Sequence, residues 1–172
     1  MIIRQATVVD LSRLIVLFQQ EITYQRQINP FFNFSPQFDW RDFVEAKLKK
    51  LNERVLVAEG DDTLLGYIDV RAVASSESRP PKKTMTRFFR REAPPSLVRA
   101  CAVGWIEDCY VQTQFQRQGI GRALVKEGLT WLQARGVGRI ELAVSAANGN
   151  GRAFWEKQGF SAFRLLMSKE TE

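Results

Sequence analysis

The stretch Trp105 to Leu124, WIEDCYVQTQFQRQGIGRAL, constrains this chain more than any other. Trp105 to Val111 is β-branched, aromatic and cysteine-bearing, with no Gly or Pro, which is the composition of a strand. A polar loop, Gln112 to Gln118, leads to Gly119-Ile120-Gly121 and then to Arg122–Ala134, a run of helix-forming composition. Strand, glycine-bearing turn and helix, in that order, present free backbone N–H groups to an anion. The first amides of a helix have no intrahelical partner, and the helix dipole adds about half a positive charge at that end. Glycines keep such a backbone accessible, because a Cβ would hold a phosphate away. The stretch therefore predicts the seat of a phosphate-bearing cofactor.

Two nucleotide motifs compete for this turn and neither fits. A P-loop places Lys-Ser/Thr after its second glycine, whereas Arg122-Ala123 follows Gly121. A dinucleotide fingerprint needs Gly or Ala at position 124, which is Leu124. Glu141 lies where a ribose-binding acid would be sought, but inside the next expected strand rather than at its C-terminal end.

The string that does fit is Gln116-Arg117-Gln118-Gly119-Ile120-Gly121, of the form Q/R-x-x-G-x-G/A, placed after a strand that ends in Tyr110-Val111. It resembles the acyl-CoA-binding motif of the GNAT superfamily of N-acetyltransferases. Downstream, Asn148-Gly149-Asn150-Gly151-Arg152-Ala153-Phe154-Trp155-Glu156-Lys157-Gln158-Gly159-Phe160 is similar to that family's N-x-x-A-x-x-h-Y-E-K-x-G-F segment, with h apolar. The interval between the two leaves room for one helix and one strand, as the family requires.

Composition is compatible with this. A chain of 172 residues reads as one domain, residues 1–172. No segment reaches the roughly 18 apolar residues of a membrane span, and the first residues are no signal peptide, so a cytoplasmic location and no membrane partner are expected. Cys101 and Cys109, if both on one strand, are too far apart to pair. The absence of histidine removes zinc sites of the usual kind, the Ser-His-Asp triad and the commonest general base, so no metal is expected. Acid–base work falls to carboxylates, tyrosines, lysines or water.

The net charge of +6 is unevenly placed. Ser75 to Arg99 holds seven basic residues and two acids, 7 − 2 = +5, which leaves +1 for everything else. Within it, Ser75 to Pro95 contains four of the six prolines and reads as a basic insertion at about 75–95, too long for an ordinary hairpin turn. Arg87-Phe88-Phe89-Arg90-Arg91 interleaves aromatic and basic groups, as nucleic-acid surfaces do; the alternative is a solvated loop or a lid beside an active site.

The remaining elements follow in order. Ile2 to Ala6 is a short strand, and Thr7–Asp10 a helix start resembling a capping box. Leu11, Leu14, Ile15, Phe18 and Ile22 recur at helical spacing to about Arg26. A Phe-dense loop, Ile28 to Phe38, precedes a second helix capped by Asp39, with Trp40, Phe43, Val44, Leu48 and Leu51 as its apolar stripe. Arg54–Glu59 and Leu64–Ala74 form a hairpin across Gly60-Asp61-Asp62-Thr63. After the central strand and third helix, Arg139–Val144 is a buried strand, Asn148–Gln158 the last helix and Phe160–Met167 a closing strand. This β-α-α-β-β-β-α-β-α-β order matches the GNAT fold: a mixed α/β protein with a six- to seven-stranded mixed sheet, splayed central strands and about four flanking helices.

The resemblance assigns chemistry to residues. It implies acetyl-CoA as cosubstrate, its pyrophosphate held by backbone amides of Arg117, Gln118, Gly119, Ile120, Gly121 and Arg122, with Gln116 opening the motif. The pantetheine arm is expected along the backbone of Cys109, Tyr110 and Val111, where the central strand splays from its neighbour. Asn148 is placed to touch the cofactor or to cap the last helix, or both. Glu107 and Asp108 are the candidate proton acceptors. Adjacent strand residues face opposite sides unless a bulge re-aims them, and Glu107, on the side of Trp105 and Cys109, is favoured. Alternatively the two carboxylates pair with nearby Arg or Lys. Trp155 stands where the family usually has a tyrosine that protonates the leaving thiolate, and an indole N–H is no usable acid. Gly151 replaces a preferred Ala. The acceptor site of relatives corresponds here to a region holding Tyr24, Phe31, Phe32, Phe34, Phe38 and Trp40, an aromatic wall suited to an apolar group or an amine cation, with Tyr24, Phe31, Phe32 and Phe34 as its candidates; the alternative is that most of these rings pack under the loop as core. The function implied is acetyl transfer to a primary amine, the alternative being a GNAT-fold module that binds acyl-CoA or a partner with little transfer. Many relatives dimerise, so a homodimer is expected by analogy only.

Overall fold

Leu11, Leu14, Phe18 and Ile22, spaced for one side of a helix, are all buried on α1 (Leu11–Ile28) in a computed structural model that describes residues 1–29, 35, 37–73, 102–167 and 169. The other elements are β1 (Ile2–Gln5), α2 (Trp40–Lys49), β2 (Glu53–Gly60), β3 (Thr63–Val73), β4 (Ala102–Val111), α3 (Ile120–Gln133), β5 (Val137–Leu142) and α4 (Gly149–Lys157). Short 3₁₀ turns at Val8–Asp10 and Thr113–Phe115 complete them. The basic insertion at 75–95, Cys101, Phe31, Phe32 and Phe34 lie outside the described residues.

The strands form one sheet in the order β1-β2-β3-β4-β5, antiparallel except for the parallel pair β4–β5. The β2–β3 hairpin turns at Asp61 and Asp62, whose φ values of 48° and 57° are those of a type I′ turn, the hand that matches strand twist. Two apolar layers sandwich the sheet. Leu14, Leu17 and Phe18 of α1 and Val44 of α2 pack on Val55, Val57 and Tyr67 on one face. Leu124, Val125 and Leu132 of α3 pack on Ile68, Val70 and Ile106 on the other. Gly128 lets α3 come this close: a Cβ there would lie 3.0 Å from a Val70 methyl.

The sheet has five described strands rather than six or seven. The expected closing strand, Phe160–Met167, carries no strand pairing, and Phe163, Leu165, Leu166 and Met167 point their apolar side chains outward. Alternating Phe, Leu and Met fit a strand locally, but pairing needs a neighbour as well as propensity. Helix α2 stops at Lys49, which leaves Leu51 exposed.

At the entry to α1, the fully buried Asp10 carboxylate accepts from both terminal nitrogens of Arg4 at 2.8 Å, from Arg13 at 2.7 Å and from the Thr7 N–H at 2.9 Å. The Arg4 bond, foremost, holds this carboxyl well below the usual carboxylate range. Asp10→Asn is expected to cost about 2–4 kcal/mol of unfolding free energy at pH 7, since it removes the buried charge that Arg4 and Arg13 share and leaves them Glu59 alone. A group with a depressed folded pKa stabilises above its unfolded value of about 3.9 and loses that contribution as pH falls towards the folded one. Urea melts from pH 6 down to pH 2 should therefore converge for wild type and variant.

Candidate active site

The register of β3 on β4 carries the first feature of the site. Asp69 pairs with Asp108 and Val70 with Ile106, so Glu107 is an extra residue in β4, a β-bulge. Ile106 packs on the α3 side. Trp105 lies opposite Arg71 on the α1/α2 side, where Glu107 accepts from Arg71 Nε at 2.6 Å. Asp108 faces that same side, 3.9 Å from Lys47 Nζ of α2. The bulge thus puts both candidate acids on one face, and Cys109 packs on the α3 side. Glu107 shares its face with Trp105 but not with Cys109, a correction that plain strand alternation could not supply. Both carboxylates also have the basic neighbours that the alternative reading anticipated.

Beneath them lies a buried polar cluster. Lys47, 2% exposed, donates to Glu53 Oε1 at 3.1 Å and to Asp69. Glu21 of α1 accepts from the Tyr67 hydroxyl, with both groups buried. Burial pushes the Asp108 carboxyl well up, the Glu21 charge adds to this, and Lys47 opposes it. Asp69 is pushed up to about 7 by burial against the pull of Lys47. Burial alone would lower the Lys47 pKa, but Asp69, Asp108 and Glu53 together raise it above its ordinary range. Burial likewise holds the Cys109 thiol un-ionised. Sequence reading missed Glu21, Lys47 and Asp69; their only signal was a charged residue inside an apolar stripe or strand.

The second feature is where β4 parts from β5. Their pairing runs from Ala102↔Val137 to Ile106↔Leu142 and then stops, while β4 continues to Val111. Glu107 to Val111 consequently has no strand partner on its β5 side among the described residues. Of the three residues expected to hold an extended arm there, Val111 already accepts from Gln116 Nε2 at 3.0 Å, which ties the motif loop to the strand end. The Gln116 side chain so placed is a loop brace.

The loop beyond it has the geometry of an anion seat. Arg117 and Gly119 have φ values of 61° and 82°, and the first helical bond runs from Ala123 N–H to Gly119 O at 3.0 Å. The amides of Arg117, Gln118, Gly119, Ile120, Gly121 and Arg122 make no hydrogen bond among the described residues. Left-handed residues followed by open amides form a concave nest for an anion. The two glycines serve different needs. Gly119 takes a left-handed φ in open space, and Gly121 makes room for Phe154 of α4, whose ring would lie 3.3 Å from an added Cβ. Beside the nest, Gly119, Arg122, Ala123, Lys126, Leu129 and Gln158 line a shallow groove of about 410 Å³. Lys126, one turn after Arg122, places a second cation there that the motif did not reveal.

Asn148 caps α4: its Oδ1 accepts from Gly151 N–H at 2.8 Å. A Cβ at residue 151 would sit 2.6 Å from Asn148 Nδ2, so an alanine there would require the Asn148 side chain to shift. Asn148→Ala should lower stability by about 1 kcal/mol, read from a thermal melt. Trp155 packs edge-on to Phe154 at 4.9 Å and to Phe160 at 5.4 Å. Tyr24 packs partly buried against the α1/α2 core.

Comparison with known proteins bears on the family and the fold. A mycothiol acetyltransferase from Beutenbergia cavernae is 43% identical over 60 residues, 35% of this chain and 20% of that protein. The [ribosomal protein bS18]-alanine N-acetyltransferase of Escherichia coli is 41% identical over 51 residues, 30% of this chain and 34% of that one. The matched segments thus span about a third or less of these relatives' length. A mutant of the BH1408 protein from Bacillus halodurans superposes with a TM-score of 0.80 at 22% identity, over 100% of both chains, and so shares the fold. The acetyltransferase (GNAT) family model matches residues 17–160, and this chain belongs to that family.

Proposed function

We propose that this chain transfers an acetyl group from acetyl-CoA to a primary amine of a small molecule, peptide or protein. The observation that carries the reading is the pairing of an open-amide nest at residues 117–122 with a β4 edge left unpaired beyond Ile106. GNAT acetyltransferases use acetyl-CoA, and the nest suits its diphosphate, with Arg122 and Lys126 alongside. The β4 edge suits the amide-bearing pantetheine arm, as an added strand. Asn148 and Trp155 lie on α4, packed against the same corner through Phe154. The acceptor would approach from the α1/α2 side, past Tyr24, towards Glu107 and Asp108.

The nucleophile must be a neutral amine. Its nitrogen attacks the thioester carbonyl, the C–N bond forms, the C–S bond breaks and coenzyme A leaves as thiolate. With Trp155 at the usual tyrosine position, the proton released by the amine reaches the thiolate through water. A CoA-thiol release assay over a panel of primary amines should find at least one substrate turned over well above hydrolysis. A second reading, an acyl-CoA-binding module with little transfer, is favoured by Trp155 alone. Heat on titration with coenzyme A, but no release with any amine, would select it.

A further inference from the structure

We infer that Lys47 is a positioning residue of this site, its buried ammonium holding Asp108 as the carboxylate that takes the proton released by the attacking amine. This rests on the transfer reading above. Two acids compete for that proton, and their surroundings separate them. Glu107 accepts from the Arg71 guanidinium at 2.6 Å, with its side chain 9% exposed. That bond already commits the Glu107 carboxylate to Arg71. The Asp108 carboxyl makes no hydrogen bond among the described residues and keeps 14% exposure, whereas Asp69 and Glu53, the other carboxyls around Lys47, keep 0% and 2%. It is therefore the member of the cluster that is both unbonded and partly open to solvent.

Lys47 is the charge that opposes the upward push of burial on the Asp108 carboxyl. From α1, Glu21 faces Asp108 with a like charge, and from β3, Asp69 does the same. Tyr67 is committed to Glu21 and has no charge to offer, and Tyr110 is held un-ionised by burial. Lys50 serves only Glu53, at 2.6 Å. The cation acting on Asp108 is Lys47, which reaches in from α2 with its side chain 3% exposed. In the step itself the amine nitrogen bonds to the acyl carbon and the C–S electron pair leaves on sulfur. The nitrogen's proton passes to Asp108 and then, through water, to the thiolate.

The test is kcat/KM against pH for wild type and four variants, using the best amine from the panel. Wild type should show an acidic limb. Asp108→Asn should remove the limb and lower the rate at least about 100-fold, and Glu107→Gln should leave the limb in place. Lys47→Gln should move the limb towards higher pH, costing about tenfold or more at neutral pH with recovery near pH 9, and KM for acetyl-CoA unchanged. Glu21→Gln, which keeps a partner for Tyr67, should move it the other way. Equal loss at every pH in Lys47→Gln, or a limb abolished by Glu107→Gln, overturns the proposal. If no amine is turned over, or Lys47→Gln does not fold, ¹³C NMR titration of the Asp108 carboxyl decides. In wild type it should titrate above the ordinary aspartate range, and lower in Glu21→Gln; an ordinary, unmoved value overturns the proposal without reference to activity.

Discussion

Gly119→Val is expected to weaken coenzyme A binding about 30-fold while leaving the melting temperature of the free protein almost unchanged. Gly119 is exposed with φ at 82°, and a Cβ built on it meets no atom within 4 Å. The cost of a side chain is therefore conformational rather than steric. A β-branched residue held in the left-handed region costs about 2 kcal/mol. The free loop can avoid that cost by turning residue 119 to negative φ, since its flanking amides are bonded to nothing described. Doing so dismantles the nest with Arg117. Binding must then restore the strained form, and the strain reappears as lost affinity; about 2 kcal/mol corresponds to about 30-fold. Calorimetry with coenzyme A, set beside a thermal melt, measures both halves. Unchanged affinity would mean that the diphosphate is not seated on these amides.

The nest was legible in the sequence because its signals are local. Gln116 to Gly121 specify a strand end, a turn and a helix start within a few residues, and the structure places α3 at Ile120 as that string requires. Asp39 and Asn148 were readable as caps for the same reason, each bonding an amide three residues ahead. The active-site face was not. Whether Glu107 and Asp108 point together or apart depends on one inserted residue in the β3–β4 register, and a bulge has no signature in the composition of either strand. Lys47 falls between apolar positions of α2, and nothing adjacent in the sequence marks it as buried. Its burial is decided by carboxylates brought from β2, β3 and β4, far apart in sequence. The closing strand failed in the opposite way: Phe160–Met167 has strand composition and lacks a described partner.

Lys47→Met should lower the unfolding free energy by about 3–5 kcal/mol at pH 8 and by much less at pH 4.5. The ammonium is bonded to Glu53 and Asp69 and stands 3.9 Å from Asp108, all in the protein interior. Removing one partner of a buried ionic group costs this much because the charges left behind are unpaired. Here the stranded groups are carboxyls, and they can escape by taking up protons. The folded pKa of Asp69, already pushed up to about 7, rises further once the cation is gone, and that of Asp108 follows. A group whose folded pKa exceeds its unfolded value of about 3.9 contributes its full stability below that value and loses it as pH climbs through the folded one. Wild type should lose stability between pH 4 and 7 for this reason, and the methionine variant more, over a range reaching further into the alkaline. Urea melts at the two pH values separate charge from packing. A deficit equal at both would assign the loss to the methionine side chain itself, whereas a deficit that grows with pH identifies Lys47 as the charge that keeps this acidic interior folded at neutral pH. The sign is opposite to that expected for Asp10, whose contribution fades on acidification, so the two variants together distinguish a carboxylate that needs its cations from carboxyls that tolerate their absence by binding protons.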